Sequence, residues 1–156
     1  MKRVSAMLLI ATVALSACGQ PTEQAASAPD AKPGLALSAG RLVLPAVKGN
    51  PAGGYFTLRN GGEKPVNLAG VFVTGAARAE LHETVGEKMA PITKLGLKPG
   101  ESVEFKPGGK HVMAFELDPS LAPGGSAEIT LTFEGGDKLS GPLKLEPAGG
   151  AAEHTH

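Results

Sequence analysis

The clearest fold signal in the chain is the heptapeptide AEITLTF at residues 127–133, which lies between the turn sequences PGG at 123–125 and GGD at 135–137. Apolar residues alternate strictly with polar residues along it, as expected of a strand that buries one face. Glycine-rich turns on both sides bound the strand. The segment therefore predicts a β-strand with one face in a core and the other in solvent.

The same pattern of short runs between turns extends over most of the chain. Seven further strand candidates lie at residues 42–47, 55–60, 66–74, 78–84, 102–105, 111–117 and 138–145. The 22 Gly and 13 Pro leave little room for long helices. Short strands at this spacing predict an all-β domain, built as a two-sheet sandwich or a Greek-key barrel. Tyr55 and Phe56 are both expected in its core.

The N-terminus has the pattern of a bacterial signal peptide. Two basic residues precede an apolar stretch at 6–14 that is too short to span a bilayer. The tetrapeptide LSAC at 15–18 resembles the lipobox of bacterial lipoproteins, in which the signal is removed before the Cys and the thiol is lipidated. We therefore predict a signal peptide over residues 1–17 and a lipidated Cys18. The alternative is an ordinary secretory signal with an incidental Cys.

This signal sets the predicted location and the domain organisation. We expect a periplasmic protein held on a membrane by its lipid anchor. Gly19 stands where Asp would indicate retention at the inner membrane, which favours the outer membrane. Residues 18–39 are predicted to be the lipidated Cys and a flexible tether, residues 40–146 the β domain, and residues 147–156 a disordered tail that contains histidine.

Composition excludes several classes of protein. Lys and Arg number 15, as do Asp and Glu, so the formal net charge is zero and the basic excess of a nucleic-acid binder is missing. A single Cys excludes an internal disulfide framework and a Cys-rich metal cluster. No segment resembles a nucleophile elbow or a phosphate-binding loop.

Histidine and methionine side chains form a candidate site for a soft metal ion. Strand alternation places His111 and Met113 on one face. His82 ends another alternating segment, and Met89 follows on the next loop. Thioether and imidazole groups suit Cu(I), and a thioether, unlike a thiol, forms no disulfide in an oxidising compartment. The alternative is that these residues are ordinary core and structural side chains.

Three segments resemble the periplasmic copper chaperones of the PCu(A)C family, namely AGGYFTLRN at 52–60, AELHET at 79–84 and KPGGKHVM at 106–113. The family pattern is His, ten residues, Met, twenty-one residues and His-x-Met. Twenty-one residues also separate Met89 from His111 here, but only six separate His82 from Met89, four fewer than in the family. The shorter interval restricts how far Met89 can move toward the other ligands.

The resemblance implies a cupredoxin-like Greek-key β-sandwich in which Cu(I) is bound by four ligands, His82, Met89, His111 and Met113. It also implies a metallochaperone that delivers copper to the CuA centre of cytochrome c oxidase, with an oxidase subunit and a Sco-type thiol protein as partners. Such delivery by ligand exchange changes no covalent bond, so we predict that the protein is not an enzyme. Two alternatives are a copper-sequestering or resistance lipoprotein and a metal-free, lipid-anchored interaction module. In the tail, His154 and His156 form a second candidate site, suited to Cu(II).

Overall fold

The computed structural model describes residues 33–149, which form ten β-strands and no helix. The strands are β1 (Leu35–Leu44), β2 (Ala52–Asn60), β3 (Val66–Val73), β4 (Ala76–Val85), β5 (Lys88–Pro91), β6 (Leu95–Leu97), β7 (Ser102–Phe105), β8 (Lys110–Leu117), β9 (Ser126–Phe133) and β10 (Lys138–Pro147). The all-β prediction is confirmed.

The strands follow one hydrogen-bonded path that folds over a shared core as a sandwich. Their order is β5-β4-β8-β2-β1-β10-β9-β3-β6. Strand β7 lies off this path and pairs with β2. Strand β1 joins the two halves, because it pairs antiparallel with β2 and parallel with β10. A register shift between Ser38 and Arg41, where Ala39 has a φ of 52°, bends this strand as a bulge does.

Alternation along the strands builds the core. In β9, Ala127, Ile129, Leu131 and Phe133 are all buried, as the sequence predicts. The largest fully buried side chains are Phe56, Phe105, Leu42, Leu58, Leu68, Leu97, Ile129, Leu131, Leu139, Leu143, Val73 and Val112. The rings of Phe56 and Phe105 stack across β2 and β7, with centroids 4.2 Å apart and planes 17° apart. Such a pair adds about 0.5–1.5 kcal/mol to the stabilisation from burial alone.

The first strand corrects the predicted start of the domain. β1 begins at Leu35 rather than at residue 42, and Leu35 and Leu37 are buried, so residues 35–39 belong to the sheet rather than to a tether. The strand ends at Leu44 because the following Pro45 has no amide hydrogen for the ladder. At the other end, β10 extends to Pro147, one residue beyond the predicted boundary.

The loop predicted around Met89 is instead a β-hairpin. Val85 pairs with Lys88, which leaves Gly86 and Glu87 as a two-residue turn between β4 and β5. Gly86 has a φ of 64°, and a positive φ at the first turn position is typical of a type II′ hairpin. The short interval between His82 and Met89 is therefore a tight hairpin that fixes Met89 by strand register.

Several predictions fall on residues outside the described range. These are the signal peptide, the lipidated Cys18, the first part of the tether, and His154 and His156. Within residues 33–149, no helix is long and apolar enough to cross a membrane.

Candidate metal centre

One face of the sheet formed by β5, β4, β8 and β2 points away from the core, and we call it the outer face. In β8, Val112 and Ala114 are fully buried, so the alternating residues His111 and Met113 point outward. Residues directly opposite each other on antiparallel strands share a face. His82, which is paired with His111, therefore lies on the outer face too.

The two histidines form the centre of this face. Their ring centroids are 6.1 Å apart, and the ring planes are tilted by 34°. His111 is 8% exposed, and the His82 side chain is 14% exposed. Two polar rings are thus held side by side and largely withdrawn from water by the register of β4 and β8.

Hydrogen bonds define which nitrogen of each ring is free. His111 Nδ1 lies 2.9 Å from the carbonyl oxygen of Gly109, and because a carbonyl only accepts, Nδ1 carries the hydrogen. His82 Nε2 lies 3.0 Å from a carboxylate oxygen of Glu80 and donates to it in the same way. The lone pairs of the neutral rings therefore remain on His82 Nδ1 and His111 Nε2. A carboxylate or carbonyl behind the imidazole is the usual arrangement for a metal-binding histidine.

His82 Nδ1 is a buried polar atom with no hydrogen-bond partner within the part of the chain that the structure describes. Leaving such an atom unsatisfied costs about 1–3 kcal/mol, so it needs an explanation. A metal–imidazole bond of about 2.0 Å places the ion about 3.1 Å from a ring centroid. The observed centroid separation of 6.1 Å between His82 and His111 is compatible with one ion bridging the two rings.

The two methionines lie on the same face at different distances from the histidine pair. Met113 is two residues from His111 along β8, lies directly opposite Glu80 and is half-buried. Met89 lies opposite Thr84 on β5, which places it diagonally from His82, and it is 53% exposed. Diagonal neighbours are about 7–8 Å apart at the backbone, within reach of a long side chain. All four predicted ligands thus share the outer face, with Met89 at its edge.

Nitrogen and oxygen donors alone do not complete a site here. No group of three or more His, Cys, Asp or Glu side chains suited to a metal ion exists within residues 33–149. Beside the two imidazoles, the outer face offers the thioether sulfurs of Met113 and Met89 as further donors. Soft thioether ligands select Cu(I) over the hard cations Mg²⁺ and Ca²⁺.

Glu80 and Glu83 flank His82 in sequence but have different roles. The hydrogen bond from His82, then the charge of nearby Arg78, hold the pKa of Glu80 below its usual range, so this carboxylate stays ionised behind the ring. Glu83 lies on the opposite side of the strand and bonds Lys110 Nζ at 2.6 Å. Only Glu80 orients the imidazole.

Tyr55 was expected in the core, but the structure places it on the outer face. Its neighbour Phe56 is 2% exposed and Tyr55 is half-buried, because successive residues of a strand point to opposite faces. Phe56 and Leu58 are buried on one face of β2, so the alternation of the strand already places Tyr55 on the opposite face. Tyr55 therefore lies on the same face of the sheet as the candidate ligands, a position that the sequence prediction missed.

Comparison with protein families decides where the chain belongs. The family model for LpqE-like lipoproteins matches residues 22–144. The chain belongs to the LpqE-like lipoprotein family. A curated relative of this LpqE-like chain is the uncharacterized protein RP573 of Rickettsia prowazekii, which is 31% identical over 85 residues. That match spans 51% of this chain and 47% of the relative, about half of each.

Solved structures resemble this LpqE-like chain over most of its length. The apo PCuAC domain from PmoF1 is 25% identical with a TM-score of 0.62, covering 73% of this chain and 94% of that domain. The copper-bound PCuAC domain from PmoF2 is 23% identical with the same TM-score, covering 73% and 93%. The Cu(I) form of DR1885 from Deinococcus radiodurans is 23% identical with a TM-score of 0.56, covering 76% and 81%. The predicted PCu(A)C resemblance and cupredoxin-like sandwich are confirmed.

Proposed function

We propose that this protein is an extracytoplasmic, lipid-anchored Cu(I) carrier that binds copper at the outer face and releases it to a partner by ligand exchange. Its ligands are His82, His111 and Met113, with Met89 as a fourth, more exposed ligand. The observation that carries the proposal is the buried Nδ1 of His82, which has no hydrogen-bond partner among residues 33–149 and lies in a ring 6.1 Å from that of His111.

The ligand set suits a carried ion. Two neutral imidazoles and two thioethers add no charge of their own, and thioethers favour the monovalent soft ion. Met89 is more than half exposed and stands on a short edge strand, so it can leave the ion first. An incoming ligand from a partner can then take its place. No covalent bond of the protein is made or broken, which is why we assign a carrier rather than an enzyme.

Two structural relatives support copper as the cargo. The PmoF2 domain was solved with copper bound, and DR1885 in a Cu(I) form. The LpqE-like family description supports the lipoprotein assignment, for which Cys18 is the proposed lipidation site. A lipid anchor on an extracytoplasmic membrane surface would keep the carrier close to membrane-bound recipients.

The proposed recipient is the CuA-bearing subunit of cytochrome c oxidase, reached directly or through a Sco-type thiol protein. This part of the proposal rests on the resemblance to PCu(A)C chaperones. Thiolates are also soft ligands and bind Cu(I) with one more negative charge than thioethers do, so transfer from this site to a thiol partner is favourable.

Anaerobic titration of the full chain with Cu(I), in competition with a chromogenic chelator, tests the binding. We expect saturation at one ion per chain and loss of that binding in a His111→Ala/Met113→Ala double variant. Absence of stoichiometric binding in the wild-type chain, or binding unchanged in the double variant, would contradict the proposal.

Two controls make the titration specific. A Phe72→Ala variant changes an exposed side chain on the other half of the sandwich and should bind copper as the wild type does. A His154→Ala/His156→Ala variant removes the tail histidines and should leave Cu(I) binding intact, while a lower Cu(II) affinity would identify the tail as a second site.

A further inference from the structure

The ring of Tyr55 lies over a neighbouring glycine on the outer face. A Cβ placed on Gly53 would lie 2.6 Å from the Tyr55 hydroxyl oxygen and 3.0 Å from its Cζ. No side chain fits at residue 53 while the ring is there. The tyrosine therefore lies along its own strand toward Gly53, instead of standing out into solvent.

Strand register places this ring beside the candidate copper ligands. Gly53 pairs with Met113, and Gly54 pairs with Val112, where the ladder between β2 and β8 ends. The next step in the same register brings Tyr55 to the level of His111. Directly opposed residues have Cβ atoms about 4.5–5.5 Å apart, and Gly53 has none, so the space beside Met113 is filled by the hydroxyl end of Tyr55.

The ring is held from its other side by a cation. The Arg41 guanidinium lies 5.2 Å from the Tyr55 ring centroid, and Arg41 is paired with Tyr55 across β1 and β2. Such a contact is favourable when the cation lies over the ring face.

We propose that Tyr55 is a positioning residue for the copper site, and this inference rests on the proposed function. Its ring forms the β2 side of the site, packs against the thioether of Met113 and directs that sulfur toward the two imidazoles. Sulfur–aromatic contacts of this kind are weakly favourable and occur at the ring edge. The ring also shields the copper–sulfur bond from incoming ligands, so it slows release of the ion.

The absence of a side chain at Gly53 is the second feature on which the position of the Tyr55 ring depends. An alanine there would place its methyl group where the Tyr55 hydroxyl lies, so the tip of the ring would have to move. Gly53→Ala therefore tests the position of the ring while the tyrosine itself is kept. Tyr55→Leu removes the ring, and Tyr55→Phe keeps the ring and removes only the hydroxyl.

The first test uses the copper-free full chain and so does not depend on metal binding. An aromatic ring shifts the NMR resonance of a nearby methyl group, and the methionine methyl signals are assigned with Met113→Leu and Met89→Leu variants. We expect the Met113 methyl signal to move in Tyr55→Leu and in Gly53→Ala, but to stay near its wild-type position in Tyr55→Phe. A Met113 signal that is unchanged in all three variants overturns the proposal.

The second test measures copper release. The chain contains one Tyr and no Trp, so its tyrosine emission reports on Tyr55 alone. Cu(I) binding should change this emission in the wild type and leave it constant in His111→Ala/Met113→Ala. Transfer of Cu(I) to a chelator should be about twofold to tenfold faster in Tyr55→Leu and Gly53→Ala, the range that one sulfur–aromatic contact provides, and close to wild type in Tyr55→Phe.

The outcomes separate this inference from the proposed function. A chain that binds no Cu(I) contradicts the proposed function and the inference with it. A chain that binds one Cu(I) with no change in Tyr55 emission, and with release rates equal in all variants, contradicts only the inference. The inference is supported if copper release is faster in Tyr55→Leu than in wild type and unchanged in Tyr55→Phe. Circular dichroism must show the same folded content in each variant.

Discussion

His82 and His111 occupy directly opposed positions on β4 and β8, so strand register rather than a loop sets the distance between their rings. The two imidazoles of the proposed site are therefore in place before any ion binds. Each ring is oriented from behind, His82 by the Glu80 carboxylate and His111 by the Gly109 carbonyl. In the proposed function, an incoming ion then also binds methionine sulfur from the same face.

Glu80 should tune the copper affinity through His82. Replacing it with Gln keeps the shape but removes the negative charge behind the ring, and we expect a loss of about tenfold in Cu(I) affinity, at the low end of the 10–100-fold range for such partners. Glu83→Gln is the matched control, because it lies three residues away on the other side of the strand and bonds Lys110. Equal effects of the two changes in chelator competition would argue against the assigned role.

The two methionines should contribute unequally. Met113 is half-buried on β8, whereas Met89 is 53% exposed at the tip of a hairpin. We therefore expect Met113→Leu to lower the Cu(I) affinity by more than about tenfold, which is 1.4 kcal/mol, and Met89→Leu by less. Met89→Leu should instead change the rate of copper transfer. A larger loss of Cu(I) affinity in Met89→Leu than in Met113→Leu would contradict this prediction.

The stacked pair of Phe56 and Phe105 should dominate the stability of this half of the sandwich. Phe105 is 2% exposed, so Phe105→Ala leaves a cavity and is expected to lower the free energy of unfolding by about 3–5 kcal/mol. Phe72→Ala, the same substitution at a side chain that is 53% exposed, should change it by less than about 0.5 kcal/mol. Urea unfolding of the metal-free protein measures both, and similar values would contradict the described core.

Glu134 should contribute a pH-dependent part of the stability. Its hydrogen bonds with Lys94 and Asn67 hold its pKa below the usual 4.5. A group whose pKa is lower in the folded state stabilises the protein above the unfolded pKa, and loses that contribution as the pH falls through the folded value. Wild type should thus exceed Glu134→Gln in stability at pH 7, with the difference shrinking below about pH 4.5. A stability difference between wild type and Glu134→Gln that grows as the pH falls would contradict this prediction.

The sequence was informative wherever alternation was strong. β9 and β8 follow the two-residue period, so the burial of Ile129 and Leu131 and the shared face of His111 and Met113 followed from the pattern alone. The pairing of His82 with His111 did not, because register between strands distant in sequence depends on tertiary packing. Side-chain chemistry grouped the two histidines as candidate ligands, and the family resemblance supplied the full set of four.

The weaker elements escaped prediction for identifiable reasons. All four residues of β5 are exposed and β6 has only three residues, so neither shows a periodic apolar pattern. The start of β1 was obscured by small residues: Ala36, Ser38 and Ala39 separate the buried leucines and have the composition of a tether. Tyr55 was wrongly predicted to lie in the core, because its aromatic character was given more weight than its position in the alternation of β2.

X-ray absorption spectroscopy of the Cu(I)-loaded full chain tests the central claim most directly. With both imidazoles and at least one thioether bound, the spectrum should contain nitrogen scatterers at about 2.0 Å and sulfur at about 2.3 Å. The sulfur contribution should decrease in Met113→Leu, and the nitrogen contribution should decrease in His111→Ala. A first shell of nitrogen and oxygen alone, unchanged by either substitution, would contradict a copper site on this face.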